Sequence, residues 1–282
     1  MTTTHSLARW LSVQETSSDS FDAEHQPIPS GRAYGGETLA QALAATHATV
    51  DDDRMVHSFH GFFLRAADVS VSSSYDVTRV RDGRNFSARS VLGRQGERVT
   101  FHGFASFQRT GIEGVAHSIE MPELPDPEAL PTSAQAVAGT TVRDTEYWSH
   151  GRHFDLRHVD APVYVEPAEP RLARQAVWVR AFQPLPDDPV VHRIALAYVC
   201  DYTLLEPALR RHGRAWAQPG VVTASLDHAM WWHHNGRADE WIALVQDSPH
   251  TGADLATTRA SLFSRDGRLL ATIAQHGLVQ LS

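Results

Sequence analysis

Each half of this chain carries the same order of turn, helix, strand and hairpin, and such a duplication constrains the fold to two similar units packed together. In the first half a glycine turn opens a helix, Tyr34-Gly35-Gly36-Glu37-Thr38-Leu39-Ala40-Gln41-Ala42-Leu43. A related phrase in the second half is Tyr198-Val199-Cys200-Asp201-Tyr202-Thr203-Leu204-Leu205. A strand rich in His and aromatics follows each, His57-Ser58-Phe59-His60-Gly61-Phe62-Phe63 and Ser225-Leu226-Asp227-His228-Ala229-Met230-Trp231-Trp232. Each closes with a hairpin, Arg94-Gln95-Gly96 or Arg265-Asp266-Gly267, before a long apolar strand. Divergence between the copies is the informative part, because one half can keep a site while the other keeps only the scaffold.

The 282 residues suffice for two ordinary domains with a sizeable core. A net charge of −8 argues against nucleic acid as a partner, since phosphate binding needs a basic surface. All 25 basic residues are arginine, which removes lysine Schiff-base chemistry, pyridoxal phosphate attachment and a P-loop lysine. Cys200, the single cysteine, excludes an internal disulfide and a multi-thiolate zinc site. The stretch 1–10 has no basic-then-apolar leader pattern and no run approaches membrane-spanning length, so a cytoplasmic protein with no membrane partner is expected.

The pattern predicts a first strand over 10–24 and a helix over 37–50, where Leu39, Leu43 and Val50 fall at helical spacing among alanines. Strands are predicted over 54–63, 70–80, 87–92 and 99–108, with turns at Asp82-Gly83 and Gln95-Gly96. Residues 113–133, with Pro122, Pro125, Pro127 and Pro131 among acidic side chains, read as an extended surface segment. The second unit begins near Phe154, with strand-like runs at 175–180 and 190–199 leading into a helix over 204–212. Thr203 and Glu206 have capping-box spacing for that helix, and Pro207 falls in its first turn. The fold class is α+β, each unit a helix wrapped by an antiparallel sheet. The expected units are 1–112 and 151–282, joined by a proline-rich linker over 113–150, with the catalytic residues in the second.

Several phrases resemble acyl-CoA thioesterase II, the TesB-type double-hotdog family. They are His57-Ser58-Phe59-His60 with Phe63-Leu64-Arg65, Arg81-Asp82-Gly83 with Phe86-Ser87-Ala88-Arg89, and Ala105-Ser106-Phe107-Gln108. In the second half they are Tyr198 to Asp201, Leu226-Asp227-His228-Ala229-Met230-Trp231, and Asp266-Gly267 followed by Gln275 and Gly277. The resemblance implies two fused hotdog folds that hydrolyse acyl-CoA to free acid and CoA, with an Asp, a Ser or Thr, and a Gln holding the attacking water. Carried over, these fall on Asp201, Ser225 and Gln275. One departure is visible: the family usually has Gly-Gly-Gln in the first half, where this chain has Gly35-Gly36-Glu37.

The residues themselves allow plainer readings. Asp201 lies where a strand hands over to a helix, a place for an N-cap, but Thr203 is the better-placed cap. A carboxylate near a helix N-terminus stays ionised, as a general base must be. Ser225 lacks the Gly-x-Ser-x-Gly elbow of a nucleophile, so orienting water suits it better than attack. An amide such as Gln275 in an apolar strand must find partners, and it can accept from water or donate to a carboxylate. Cys200, its neighbour Asp201 facing a site, reads as a small buried hydrophobe. His57 with His60 and His233 with His234 lack the His-Glu-x-x-His spacing of a metal site, and no cofactor is expected. Trp231, Trp232 and Trp241 read as core or as the lining of an acyl tunnel.

The expected activity is therefore acyl-CoA hydrolysis by an activated water, with Gly35 and Gly36 as candidate oxyanion donors and Glu37 beside them in the substrate region. The alternatives are a non-catalytic acyl-CoA or lipid binder, or a hotdog enoyl-CoA hydratase, whose Gly-Asp-x-Asn-Pro-type turn is absent. A homo-oligomer, a dimer of double hotdogs or higher, is expected. Anchoring Tyr34 on Tyr198 sets Glu37 opposite Asp201, and matching the Thr-Leu pairs sets it opposite Tyr202. Aligning His60 with His228 sets His57 opposite Ser225, and aligning the Arg94 and Arg265 hairpins sets Phe104 opposite Gln275. One working site per chain follows, with Glu37 shaping the cleft or pairing with an arginine.

Overall fold

The computed structural model describes residues 6–142 and 144–282; residues 1–5, part of the stretch read for a leader, lie outside the described residues. Helix α1 (Leu7–Trp10) precedes a hairpin of β1 (Gln14–Ser17) and β2 (Ser20–Ala23), so the single strand expected over 10–24 is broken by a turn in which Asp19 takes φ 60°. Helix α2 (Gly35–His47) follows, then β3 (Arg54–Phe63), β4 (Ser73–Asp82), β5 (Phe86–Gln95) and β6 (Arg98–Arg109). Leu39 and Leu43 of α2 are fully buried, and its alanines let the sheet approach closely. Burial contributes about 2 kcal/mol for each such leucine.

Residues 113–132 hold only a short turn of 3-10 helix at Pro127–Ala129, ahead of α3 (Ser133–Ala136). The segment lies on the second half: Met121, Leu124 and Leu130 pack on a cluster containing Trp178, Trp241 and Phe263. Then come β7 (Phe154–His158), β8 (Arg174–Ala181), α4 (Pro189–Cys200), α5 (Glu206–Arg211), β9 (Val221–Trp232), β10 (Ile242–Gly252), β11 (Leu255–Ser264) and β12 (Leu269–Leu281).

The run 190–199, read as a strand from its β-branched residues, is helical in α4. Asp188 caps it, its Oδ1 accepting from the Val190 N–H at 2.9 Å, and Pro189 occupies the first turn. The helix expected over 204–212 shrinks to the six residues of α5, and the capping box does not form. Thr203 Oγ1 instead accepts from Gln246 at 2.9 Å, and Glu206 turns inward to His158, Gln175 and Trp216.

The described strands form one antiparallel sheet in the order β1-β2-β4-β5-β6-β3-β9-β12-β11-β10-β8-β7. Its halves meet where β3 pairs β9, from Ser58 opposite Trp231 to Phe62 opposite Asp227. The sheet curls over the helices, with α2 and α4 packed on each other inside. This is the layout expected of two hotdog units side by side.

Bulges fix how the halves correspond. Strand β3 carries one extra residue, His57, against β6, and β9 carries Leu226 against β12. Likewise Thr100 is extra in β6 and Leu270 in β12. Matching these bulges sets Val56 opposite Ser225, Phe59 opposite His228 and Ala105 opposite Gln275. The equivalences from the sequence, His57 with Ser225 and Phe104 with Gln275, are thus off by one residue. Burial agrees: Phe104 is 46% exposed on the outer face, and Gln275 is 2% exposed inside. Glu37 and Glu206 sit in similar surroundings. Each of those glutamates meets a buried histidine at 2.8 Å, His25 or His158.

Candidate active site

Asp201, Ser225 and Gln275 come from three separate segments and meet. Ser225 Oγ donates to Asp201 Oδ1 at 2.8 Å, and Gln275 Nε2 reaches the same Oδ1 and Ser225 Oγ, each at 3.0 Å. The β9 bulge makes this possible. Positions 225 and 228 would face opposite sides of a regular strand, but the extra Leu226 turns both toward Gln275. His228 pairs Gln275 across the strands, and its Nδ1 lies 2.7 Å from Gln275 Oε1.

Asp201 does not sit where a strand enters a helix. It is the C-cap of α4, whose terminal carbonyls disfavour a negative charge. The positive pole comes from the other half, because the backbone N–H of Gly36, in the first turn of α2, faces the Asp201 carboxylate and favours its ionised form. Two glycines permit this approach. A Cβ on Gly35 would stand 2.4 Å from Asp201 Oδ2, and one on Gly36 would stand 2.1 Å from the Tyr198 carbonyl oxygen. Tyr34 pins the junction, donating its hydroxyl to that carbonyl at 2.7 Å and stacking on Tyr202 with centroids 4.5 Å apart.

Burial pushes the Asp201 carboxyl up to about 6, against the opposing donors Ser225, Gln275 and Gly36. A carboxylate there is ionised near neutrality yet basic enough to accept a proton. Cys200 is fully buried, as expected, although at a helix end and not in a strand; burial raises its thiol, so it is no thiolate.

The first-half candidates divide. The Gly36 N–H is directed at Asp201, while Gly35 lies against the carboxylate. Glu37 neither lines a cleft nor pairs with an arginine. It is wholly buried, bonding His25 Nδ1 at 2.8 Å and accepting from the Gln26 N–H at 2.8 Å, because the helix turns that position toward β2 and β4. His25 passes the network to Ser73 at 2.8 Å.

Trp232 and Trp241 are core residues, and Trp231 faces outward against His60. His57 bonds Ser106, and His233 bonds Thr272. Among the described residues no three His, Cys, Asp or Glu side chains are grouped to hold a metal ion. One participant, His228, carried no assignment in the sequence reading, and the Gly36 amide, read there as a candidate oxyanion donor, faces Asp201 instead. His228 stood inside a quoted motif, but its role depends on a bulge that sequence does not show.

Two family models match this chain. Residues 157–278 match an acyl-CoA thioesterase model, and residues 24–108 match the acyl-CoA thioesterase N-terminal domain. Acyl-coenzyme A thioesterase 8 of Homo sapiens is 32% identical over 283 residues, spanning 96% of this chain and 88% of that protein. Acyl-CoA thioesterase 2 of Haemophilus influenzae is 30% identical over 286 residues, spanning 99% and 98%. The crystal structure of an acyl-CoA thioesterase II TesB2 from Mycobacterium marinum superposes with a TM-score of 0.80 at 34% identity, covering 98% of this chain and 97% of that one.

Proposed function

The chain belongs to the TesB-type acyl-CoA thioesterase family, a double hotdog that hydrolyses acyl-CoA, and on that premise we propose that Asp201, Ser225 and Gln275 carry the reaction. The observation behind this reading is that Asp201 Oδ1 takes hydrogen bonds from both Ser225 and Gln275.

Asp201 takes a proton from a water held beside Ser225 and Gln275, and the water oxygen attacks the thioester carbonyl carbon. The carbonyl oxygen becomes an oxyanion at the α2 terminus, where the Gly35 N–H is the candidate donor. Collapse breaks the carbon–sulfur bond, and the departing CoA thiolate receives the proton from Asp201. The products are the free acid and CoA. A thioester is already an activated acyl group, and Ser225, bonded to a carboxylate with no imidazole upon it, orients water instead of attacking.

The division into units 1–112 and 151–282, with 113–150 between, belongs to this reading; the two model matches fall on either side of that linker. So does a homo-oligomer, for which Phe62 and Phe104, exposed on the outer face of adjacent strands β3 and β6, offer an apolar surface. A cytoplasmic location suits the free, buried Cys200. No helix among the described residues is long and apolar enough to cross a membrane.

The test is release of free thiol from short-, medium- and long-chain acyl-CoAs by Ser225→Ala and Gln275→Ala. Each variant lowers kcat more than it raises KM if the side chain orients water and not substrate. A rise in KM at constant kcat in both would contradict the assignment.

A further inference from the structure

The Gln275 amide faces two ways. Its nitrogen serves Asp201 and Ser225, and its oxygen meets His228 Nδ1. With Asp201 ionised only this orientation works, because a flipped amide would set its oxygen against the carboxylate. A ring nitrogen facing an amide oxygen must carry the hydrogen, so the geometry defines the His228 tautomer as Nδ1–H. His228 is 1% exposed, and burial pushes its imidazolium down to about 4, so the ring is neutral at working pH. Asp227 and His60 are the other ionisable groups that act on it, in opposite directions. Its Nε2 is then a bare acceptor, buried without a partner among the described residues. An orphaned buried nitrogen is costly and needs a reason.

We propose that His228 is a positioning residue of the hydrolysis, its Nδ1–H locking the Gln275 amide with the nitrogen toward Asp201 and Ser225. The inference rests on the reading of Gln275 as part of the water-holding cluster. His228 acts through that amide alone. It bonds neither Asp201 nor Ser225, and as a neutral ring it contributes no proton. The orphaned Nε2 is the cost of the tautomer that Gln275 requires.

Two substitutions separate positioning from strand filling. Asn places an amide N–H close to where Nδ1–H lies, and Gln places it near Nε2. His228→Asn therefore keeps most of the wild-type kcat, while His228→Gln loses roughly 10- to 100-fold in kcat at nearly constant KM, the scale of losing a residue that orients a reacting group. In His228→Gln the acid limb of the pH–rate profile also moves to higher pH, because Asp201 loses a steady donor. Imidazole nitrogen NMR of the wild-type protein gives the Nδ1–H tautomer whether or not the variants fold. Equal kcat and equal acid limbs in the two variants, or an Nε2–H tautomer, would overturn the proposal. Gln275→Ala serves as the control: if it is fully active the cluster reading itself fails, whereas an impaired Gln275→Ala beside equal His228 variants removes only the positioning role.

Discussion

Gly35 and Asp201, from opposite halves of the chain, approach so closely that a Cβ on Gly35 would lie 2.4 Å from the aspartate Oδ2. The contact brings the positive end of α2 onto a carboxylate that its own helix α4 would repel. Each half thus contributes to one site, the first by a helix terminus and the second by side chains.

Gly35→Ala and Gly36→Ala are expected to fail differently. The first presses a methyl against a side chain that can turn away, so kcat falls while the fold survives. The second meets the Tyr198 carbonyl at 2.1 Å and the Tyr34 ring at 2.6 Å, which backbone packing cannot relieve. Its cost is expected to be about 1–3 kcal/mol of stability, as for overpacking a core. Thermal unfolding measured beside kcat separates the two, and equal melting temperatures would contradict this.

The pH–rate profile carries the Asp201 environment. The base must be ionised, and burial raises its carboxyl to about 6. kcat/KM on a saturated acyl-CoA should therefore be level near pH 8 and fall about tenfold per unit below about 6. His228 titrates near 4 and adds no break in that range. An acid limb centred near 4 would mean that the carboxylate is not desolvated as its surroundings require.

Glu37→Gln should be close to neutral in both activity and stability. Burial raises the Glu37 carboxyl above its ordinary range by disfavouring its charge, and an amide of the same shape carries none. Its oxygen still accepts from Gln26, while its nitrogen donates to His25 Nδ1 once that ring moves its hydrogen to Nε2, toward Ser73. Glu37→Leu leaves His25 Nδ1 and the Gln26 N–H without their Glu37 partner and should cost about 1–3 kcal/mol in chemical denaturation. Inactivation by Glu37→Gln would return this residue to the reaction.

One site per chain is expected, because Val56 and Ala105 stand in the first half where Ser225 and Gln275 stand in the second. Neither can hold water. Calorimetric titration with a non-hydrolysable acyl-CoA analogue should saturate at one equivalent per chain, and two equal sites would refute the asymmetry.

Helix α2 and strand β3 were legible because spacing and alternation match one-sided burial: the sequence reading of 54–63 coincides with β3. Helix α4 was not, since it is packed on nearly all sides and shows no polar stripe, and its Val and Ile content mimics a strand. The signal that could have found it is Asp188-Pro189, an N-cap followed by a first-turn proline. Thr203 and Glu206 spelled a capping box, but tertiary partners, Gln246 and His158, took both side chains. Bulges at His57 and Leu226 leave no mark in local composition, which is why the equivalence of the halves slipped by one residue. Asp201, Ser225 and Gln275 were identified from motif resemblance, whereas their meeting depends on the Leu226 bulge and on a helix terminus from the other half.

The most direct measurement is the turnover of Asp201→Asn at pH 8 on an acyl-CoA that the wild-type enzyme hydrolyses, with folding checked by circular dichroism. Loss of a general base predicts a fall in kcat of roughly 10²- to 10⁴-fold in a folded protein. Wild-type turnover by folded Asp201→Asn would contradict the account.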